Sequence, residues 1–181
     1  LYRFGPVLGL ILVFLLFSLL APASFTSGRN LETIARQTAI VGIAALGMTL
    51  VIIAGGIDLS VGSTIALTTV VIADCLASGA GPLTATAAGI LAGTLCGLLN
   101  GLLISKLRVV PFIVTLGTLL LFRGVAKGLA SEQKIDAPIT WLIELLAALP
   151  SDSWWFVPPG VWLMVFLALL TAGFLGYTRP G

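Results

Sequence analysis

The sequence of 181 residues contains no histidine, and only 9% of its residues are charged. Without histidine, Ser-His and Cys-His catalytic pairs and zinc sites of the HExxH type are excluded. The two cysteines, Cys75 and Cys96, both lie in apolar segments, which favours helix packing over a disulfide. We therefore expect a chain that is not an enzyme, with no catalytic residue, no metal and no cofactor of its own.

The low charge also determines the predicted surroundings of the chain. A typical soluble domain has about 25% charged residues, whereas this chain has 9% charged and 59% hydrophobic residues. A net charge of +2, scattered along the sequence, does not indicate a nucleic-acid partner. No glycine-rich phosphate loop ends in Lys-Ser or Lys-Thr. The lipid bilayer is the predicted solvent, and any ATP hydrolysis is expected in another chain.

Long apolar segments predict an all-α, polytopic membrane protein. A spanning helix needs about 20 apolar residues, and six segments reach or approach that length. We expect them to form a single transmembrane domain over residues 1–181. Asn30 is predicted to cap the second helix, which would start at Leu31, ahead of its apolar run. The predicted spans are 4–21, 39–55, 61–78, 83–105, 111–130 and 161–177.

The distribution of charge predicts that the N-terminus is cytoplasmic. In that orientation the inner ends are rich in basic residues and the outer loops in acidic residues, as the positive-inside rule expects. The inner residues are Arg3, Asp58, Lys106, Arg108 and Arg179; the outer residues are Arg29, Glu32, Arg36, Glu132, Lys134, Asp136, Glu144 and Asp152.

An outer connection joins the fifth and sixth predicted spans. Residues 141–149 are apolar but too short to cross a bilayer, and Trp154, Trp155 and Trp162 follow. Because tryptophan prefers the headgroup region, this segment predicts an interfacial or re-entrant helix. Two functions remain open for it, a docking platform for an external partner and a simple interfacial anchor.

A polar octapeptide, Gly-Ile-Asp-Leu-Ser-Val-Gly-Ser at 56–63, separates the second and third spans. Irregular backbone and polar groups at membrane depth need partners or a wet cavity. We predict that this signature loop shapes a helix break or lines part of a pathway. In the alternative interpretation, Asp58 or Ser60 only caps the third helix. The candidate residues are Gly56, Asp58, Ser60, Gly62 and Ser63.

Small residues recur every four positions along the fourth span, which predicts close packing against a neighbouring helix. Asn100 lies beside this stripe and could form a hydrogen bond between helices or contact a polar pathway. The members of the stripe are Ala85, Gly89, Gly93, Gly97, Gly101 and Ser105.

Two ionisable residues, Asp74 and Arg123, lie at similar predicted depths in the third and fifth spans. An ion pair between them would avoid the cost of isolated charges in lipid. The alternative is that each side chain separately reaches water near the outer boundary.

Several motifs together resemble the ribose-type sugar permeases of bacterial ABC importers. They are Leu-Gly-Met-Thr-Leu-Val-Ile at 46–52, the signature loop, Asn100-Gly101, Pro-Phe-Ile-Val-Thr-Leu-Gly at 111–117 and Arg123-Gly124. The resemblance covers essentially the whole chain. It implies a permease of the bacterial inner membrane that carries a monosaccharide such as ribose. The implied partners are a second permease copy, cytoplasmic ATPase subunits that use the ATP and an extracytoplasmic sugar-binding protein.

Members of that family have about ten spans and a coupling helix after the sixth. This sequence ends at residues 177–181, where the coupling region is expected, so the resemblance implies the N-terminal half of a permease. Two other functions stay open. One is a secondary carrier that would use Asp58 and Asp74 to couple ions or protons. The other is a truncated, non-transporting membrane scaffold.

Overall fold

The computed structural model describes residues 4–21, 24–145, 147–149 and 157–178. Within these ranges the secondary-structure elements are all helices, which confirms the all-α part of the predicted fold class. Arg3, Asp152, Trp154, Trp155 and Arg179, which entered the predictions above, lie outside the described residues. The helices are α1 (Gly5–Leu20), α2 (Gly28–Ile53), α3 (Val61–Ala77), α4 (Pro82–Leu107), α5 (Pro111–Leu129), α6 (Trp141–Glu144) and α7 (Pro159–Thr178).

Among the described helices, α2, α4, α5 and α7 are long and apolar enough to cross a membrane. Helices α1 and α3 are also apolar but have only 16 and 17 residues. At 1.5 Å per residue they extend about 24 to 26 Å, short of a hydrocarbon core of about 30 Å. The chain is therefore a membrane-embedded protein, and helix length alone supports four of the six predicted spans.

Aliphatic side chains cover the outer faces of the helices. Helix α1 has no buried residue, and Leu10 and Leu12 are 71% and 67% exposed. An apolar surface of this extent would drive association in water. In a bilayer the same side chains contact lipid tails, which are equally apolar, so their exposure has no free-energy penalty. The fold can therefore have a small buried interior.

The interior lies where α3 packs against α4 and α5, while α2 packs against α7. Its buried centre consists of Leu67 from α3, Cys96 from α4, and Phe122 and Ala126 from α5. Cys96 thus fills space as a small apolar side chain, as predicted. This three-helix group supports the polar loop between α2 and α3.

Helix α2 begins at Gly28, and its capping residue is Ser27 rather than Asn30. The Ser27 side chain accepts a hydrogen bond from the Asn30 backbone N–H at 3.4 Å. The Asn30 side chain instead donates to the Phe25 carbonyl at 2.7 Å. The prediction for Asn30 was wrong because serine and asparagine are about equally good caps, and the sequence offers both within three residues.

The predicted outer helix over 141–149 is a single turn, Trp141–Glu144. To continue as a helix, the Leu149 N–H would have to bond to the Leu145 carbonyl. Both groups have other partners: Leu149 N–H donates to Glu32 Oε1 at 2.8 Å, and the Leu145 carbonyl accepts from Gly160 N–H at 2.7 Å. Bonds to α2 and α7 therefore replace the helical bond. In the described part of this segment the helix is one turn long, and its interfacial or re-entrant position stays a prediction.

Replacing Glu32 by alanine is expected to release Leu149 from α2. The Glu32 side chain is only 16% exposed, and a hydrogen bond to a charged group contributes about 1.5–3 kcal/mol. We expect faster hydrogen exchange at the Leu149 amide, measured by mass spectrometry of peptides that contain it. Glu32→Gln keeps an acceptor oxygen and should retain most of the protection. Equal exchange in Glu32→Ala and the unchanged chain would contradict this role.

Candidate functional site

The signature loop begins where α2 ends in a tight glycine turn. Gly55 has a φ of +78°, a backbone conformation that favours glycine. The Gly56 N–H donates to the Val51 carbonyl at 2.9 Å, and Gly55 N–H donates to Ile52 at 2.9 Å. This pattern closes the helix as a Schellman-type cap. The chain is thereby turned back towards the bundle just before Asp58.

Asp58 and Ser60 form a compact hydrogen-bonded turn. Asp58 Oδ1 accepts from both the backbone N–H and the hydroxyl of Ser60, each at 2.7 Å. Ser60 is fully buried and precedes the first residue of α3, yet its side chain makes no capping bond to the helix. Neither side chain therefore caps α3, because the carboxylate and the hydroxyl bind each other instead.

Asn100 connects this turn to the fourth helix. Its Nδ2 donates to Ser60 Oγ at 2.9 Å. The single hydroxyl proton of Ser60 is donated to Asp58, so Ser60 Oγ can only accept a hydrogen bond from Asn100. The NH2 end of the Asn100 side chain, rather than its oxygen, must therefore face Ser60. The contact is a hydrogen bond between helix α4 and Ser60, the loop residue that precedes α3.

Thr115, one turn into α5, lies against the other side of the loop. Its hydroxyl is 3.1 Å from the Ile57 carbonyl, 2.9 Å from that of Pro111 and 3.4 Å from that of Phe112. One hydroxyl proton is available for these three acceptors. The loop is thus held between α4 and α5. The sequence contained a signal for this contact, a threonine close after Pro111 in an apolar segment, but its role was not predicted.

Two buried oxygens at the site are not satisfied in the described part of the chain. Asn100 Oδ1 and Ser63 Oγ are each shielded from solvent and have no hydrogen-bond partner there. Leaving a buried acceptor or hydroxyl unsatisfied costs about 1–3 kcal/mol. Such groups are uncommon in stable folds. A further one, Thr140 Oγ1, lies elsewhere in the described chain, but two together at one helix break favour it as a candidate functional site.

A cavity of about 200 Å³ adjoins the loop, between α2, α3 and α4. Its polar wall carries Asp58, Thr64 and Asn100. The rest of its lining is aliphatic or glycine: Ala44, Gly47, Met48, Val51, Val61, Gly93 and Gly97. Of the predicted candidates, the cavity is lined by Asp58, Gly93, Gly97 and Asn100, and not by Gly56, Ser60, Gly62 or Ser63. Ser60 is hydrogen-bonded to both Asp58 and Asn100.

The glycine stripe of α4 has two different environments. A Cβ atom at Gly89 would lie 2.5 Å from Cγ1 of Ile72, and one at Gly93 would lie 3.3 Å from Cγ2 of Thr68. These two glycines permit close contact with α3. A Cβ atom at Gly97 or Gly101 would meet nothing within 4 Å. Gly97 lines the cavity, so its missing side chain creates space there.

Asp74 and Arg123 do not form the predicted ion pair. Both side chains are exposed, and in the described part of the chain the salt bridges join Arg36 to Glu32 and Lys134 to Asp136. Arg123 lines a separate cavity of about 500 Å³ with Lys127 and Glu132. Similar depth along two helices fixes the height of two side chains but not their direction around each axis, which depends on how the helices pack.

A polar, irregular break between membrane helices is a feature that many transport proteins have at their solute sites. The chain is a member of the family described as branched-chain amino acid transport system / permease component, whose model matches residues 30–181.

Curated relatives make the resemblance more specific. The ribose import permease protein RbsC of Escherichia coli (strain K12) is 36% identical over 175 residues, which is 97% of this chain and 54% of that protein. The protein of the same name from Bacillus subtilis (strain 168) is 49% identical over 123 residues, 68% of this chain and 38% of the relative. The xylose transport system permease protein XylH of Escherichia coli (strain K12) is 33% identical over 165 residues, 91% of this chain and 42% of that protein.

These similarities confirm the resemblance to sugar permeases that the sequence motifs indicated. The chain spans about half the length of the curated relatives it matches. No solved structure matches it.

Proposed function

We propose that this chain is the membrane-embedded permease part of a bacterial ABC importer for a monosaccharide such as ribose. The observation that carries the proposal is the 36% identity to a ribose import permease over 97% of the chain. Separate ATPase subunits on the cytoplasmic side supply the energy. A sugar-binding protein delivers the solute from outside, and two permease copies enclose the pathway in the inner membrane.

In this proposal α1 and α3 are short spans, which together with α2, α4, α5 and α7 give six. The N-terminus is cytoplasmic, so the signature loop lies near the inner face and residues 141–149 lie outside. The permease alternates between inward-open and outward-open states. ATP binding and the loaded binding protein shift that equilibrium because each binds one state better than the other.

Affinity purification and uptake test this function together. The tagged chain is isolated from native membranes in mild detergent, and its partners are identified by mass spectrometry. We expect an ATPase and a sugar-binding protein. Uptake of labelled D-ribose should survive a protonophore and stop when ATP is depleted. Uptake that fails with the protonophore would support a secondary carrier instead, and recovery of the chain alone without uptake would support a scaffold.

A further inference from the structure

The cavity beside Asp58 combines features of a binding site that helix packing does not require. Its volume is about 200 Å³, below the roughly 300–1,000 Å³ of sites for drug-sized ligands. Gly97 leaves space in its wall that no neighbouring side chain fills. Asn100 lines the same cavity and is only 6% exposed. Its amide oxygen has no hydrogen-bond partner in the described chain.

The fixed orientation of Asn100 determines what chemistry the cavity offers. One N–H of the Asn100 amide donates to Ser60 Oγ, while the amide oxygen has no partner in the described chain. Together with the Asp58 carboxylate it gives two hydrogen-bond acceptors, and Thr64 adds a hydroxyl. An anion would be repelled by the carboxylate. A bare cation such as Ca²⁺ takes six to eight oxygen ligands, which is more than these side chains supply.

We propose that this cavity is a subsite for a small polyhydroxylated solute, whose hydroxyls donate to Asp58 and Asn100 while its C–H faces contact Met48 and Val51. This assignment rests on the proposed function for its choice of a monosaccharide. A sugar matches both halves of the lining, because it carries hydroxyl donors and apolar C–H surface in one small molecule. In this proposal Gly97 leaves room for the solute, whereas Gly89 allows α4 to pack closely against α3.

Cysteine labelling tests the subsite without requiring transport. In a background with Cys75→Ser and Cys96→Ala, the variant Gly97→Cys is treated in membranes with a thiol-reactive methanethiosulfonate. We expect D-ribose to slow its labelling severalfold. Gly101→Cys, one turn along the same helix and also without neighbours within 4 Å, is the matched control and should be unaffected. Met48→Cys, from the part of the cavity lining that α2 contributes, provides a second variant if Gly97→Cys does not fold.

The outcomes separate this inference from the proposed function. Protection by L-leucine or by sodium ions but not by D-ribose, or no protection at either cavity position, would overturn the sugar subsite. In the transport assay, Gly97→Val should lower D-ribose uptake about tenfold by filling the cavity, while Gly101→Val should not. Normal uptake by Gly97→Val would reject the subsite and leave the importer intact. A lack of ATP-driven uptake by the unchanged chain would reject the importer, and labelling would still decide the subsite.

Discussion

Replacing Asn100 by aspartate should lower the free energy of unfolding by about 3 kcal/mol. The substitution keeps the shape of the side chain but removes the amide that donates to Ser60 Oγ at 2.9 Å. It also introduces a second carboxylate beside the one on Asp58, which already accepts the Ser60 hydroxyl. A buried charge without a partner and a broken contact between α4 and the loop both disfavour the folded state.

The effect of Asn100→Asp can be measured by reversible unfolding in mixed micelles and by hydrogen exchange over residues 56–63. We expect faster exchange in that segment as well as lower stability. Thr94→Val is the matched control on the same helix, because the exposed Thr94 hydroxyl bonds only to Ile90 of its own helix. Its change should stay within about 0.5 kcal/mol. Unaltered exchange in the loop of Asn100→Asp would show that Asn100 does not hold it.

Replacing Gly89 by leucine should separate α3 from α4 and lower the free energy of unfolding by about 1–3 kcal/mol. A single Cβ atom at Gly89 would already lie 2.5 Å from Cγ1 and 2.6 Å from Cδ1 of Ile72. Ile72 can move to accommodate one methyl group, so alanine should be tolerated better than leucine. The larger side chain forces the helix backbones apart, and dispersion contacts along the whole interface are weakened.

The matched control for Gly89→Leu is Gly101→Leu. It introduces the same side chain into the same helix, at a position where an added Cβ meets nothing within 4 Å. Unfolding in mixed micelles should distinguish the two, with Gly101→Leu close to the unchanged chain. Equal destabilisation of both variants would contradict the assignment of Gly89 to the α3–α4 contact and would indicate a general effect of losing glycine from α4.

The different roles within one glycine stripe connect packing to the site. Gly89 and Gly93 bring α4 close to α3, which positions Asn100 within hydrogen-bond distance of Ser60. One turn before Asn100, Gly97 leaves the cavity open. A regular sequence pattern therefore supports contact between helices at one end and borders a cavity at the other, and only the placement of α3 distinguishes the two.

The membrane class and the helices could be predicted from the sequence because lipid imposes a local requirement. Backbone groups in a bilayer must bond within their own helix, so each apolar run indicates a helix without reference to the rest of the fold. The signature loop and Asn100 were also identifiable, since polar residues between apolar runs need a local explanation. The resemblance to sugar permeases rested on the same residues.

Only the tertiary structure determined which groups meet. The direction of a side chain around its helix depends on packing, so equal depth in the membrane did not bring Asp74 into contact with Arg123. For the same reason the contact of Thr115 with the signature loop could not be predicted from the sequence. Helix α6 does not continue to Leu149, because Glu32 and Gly160 bond to Leu149 and Leu145 instead. Sequence determined the elements by local hydrogen bonding and hydropathy, whereas long-range hydrogen bonds and helix packing decided the contacts of the site.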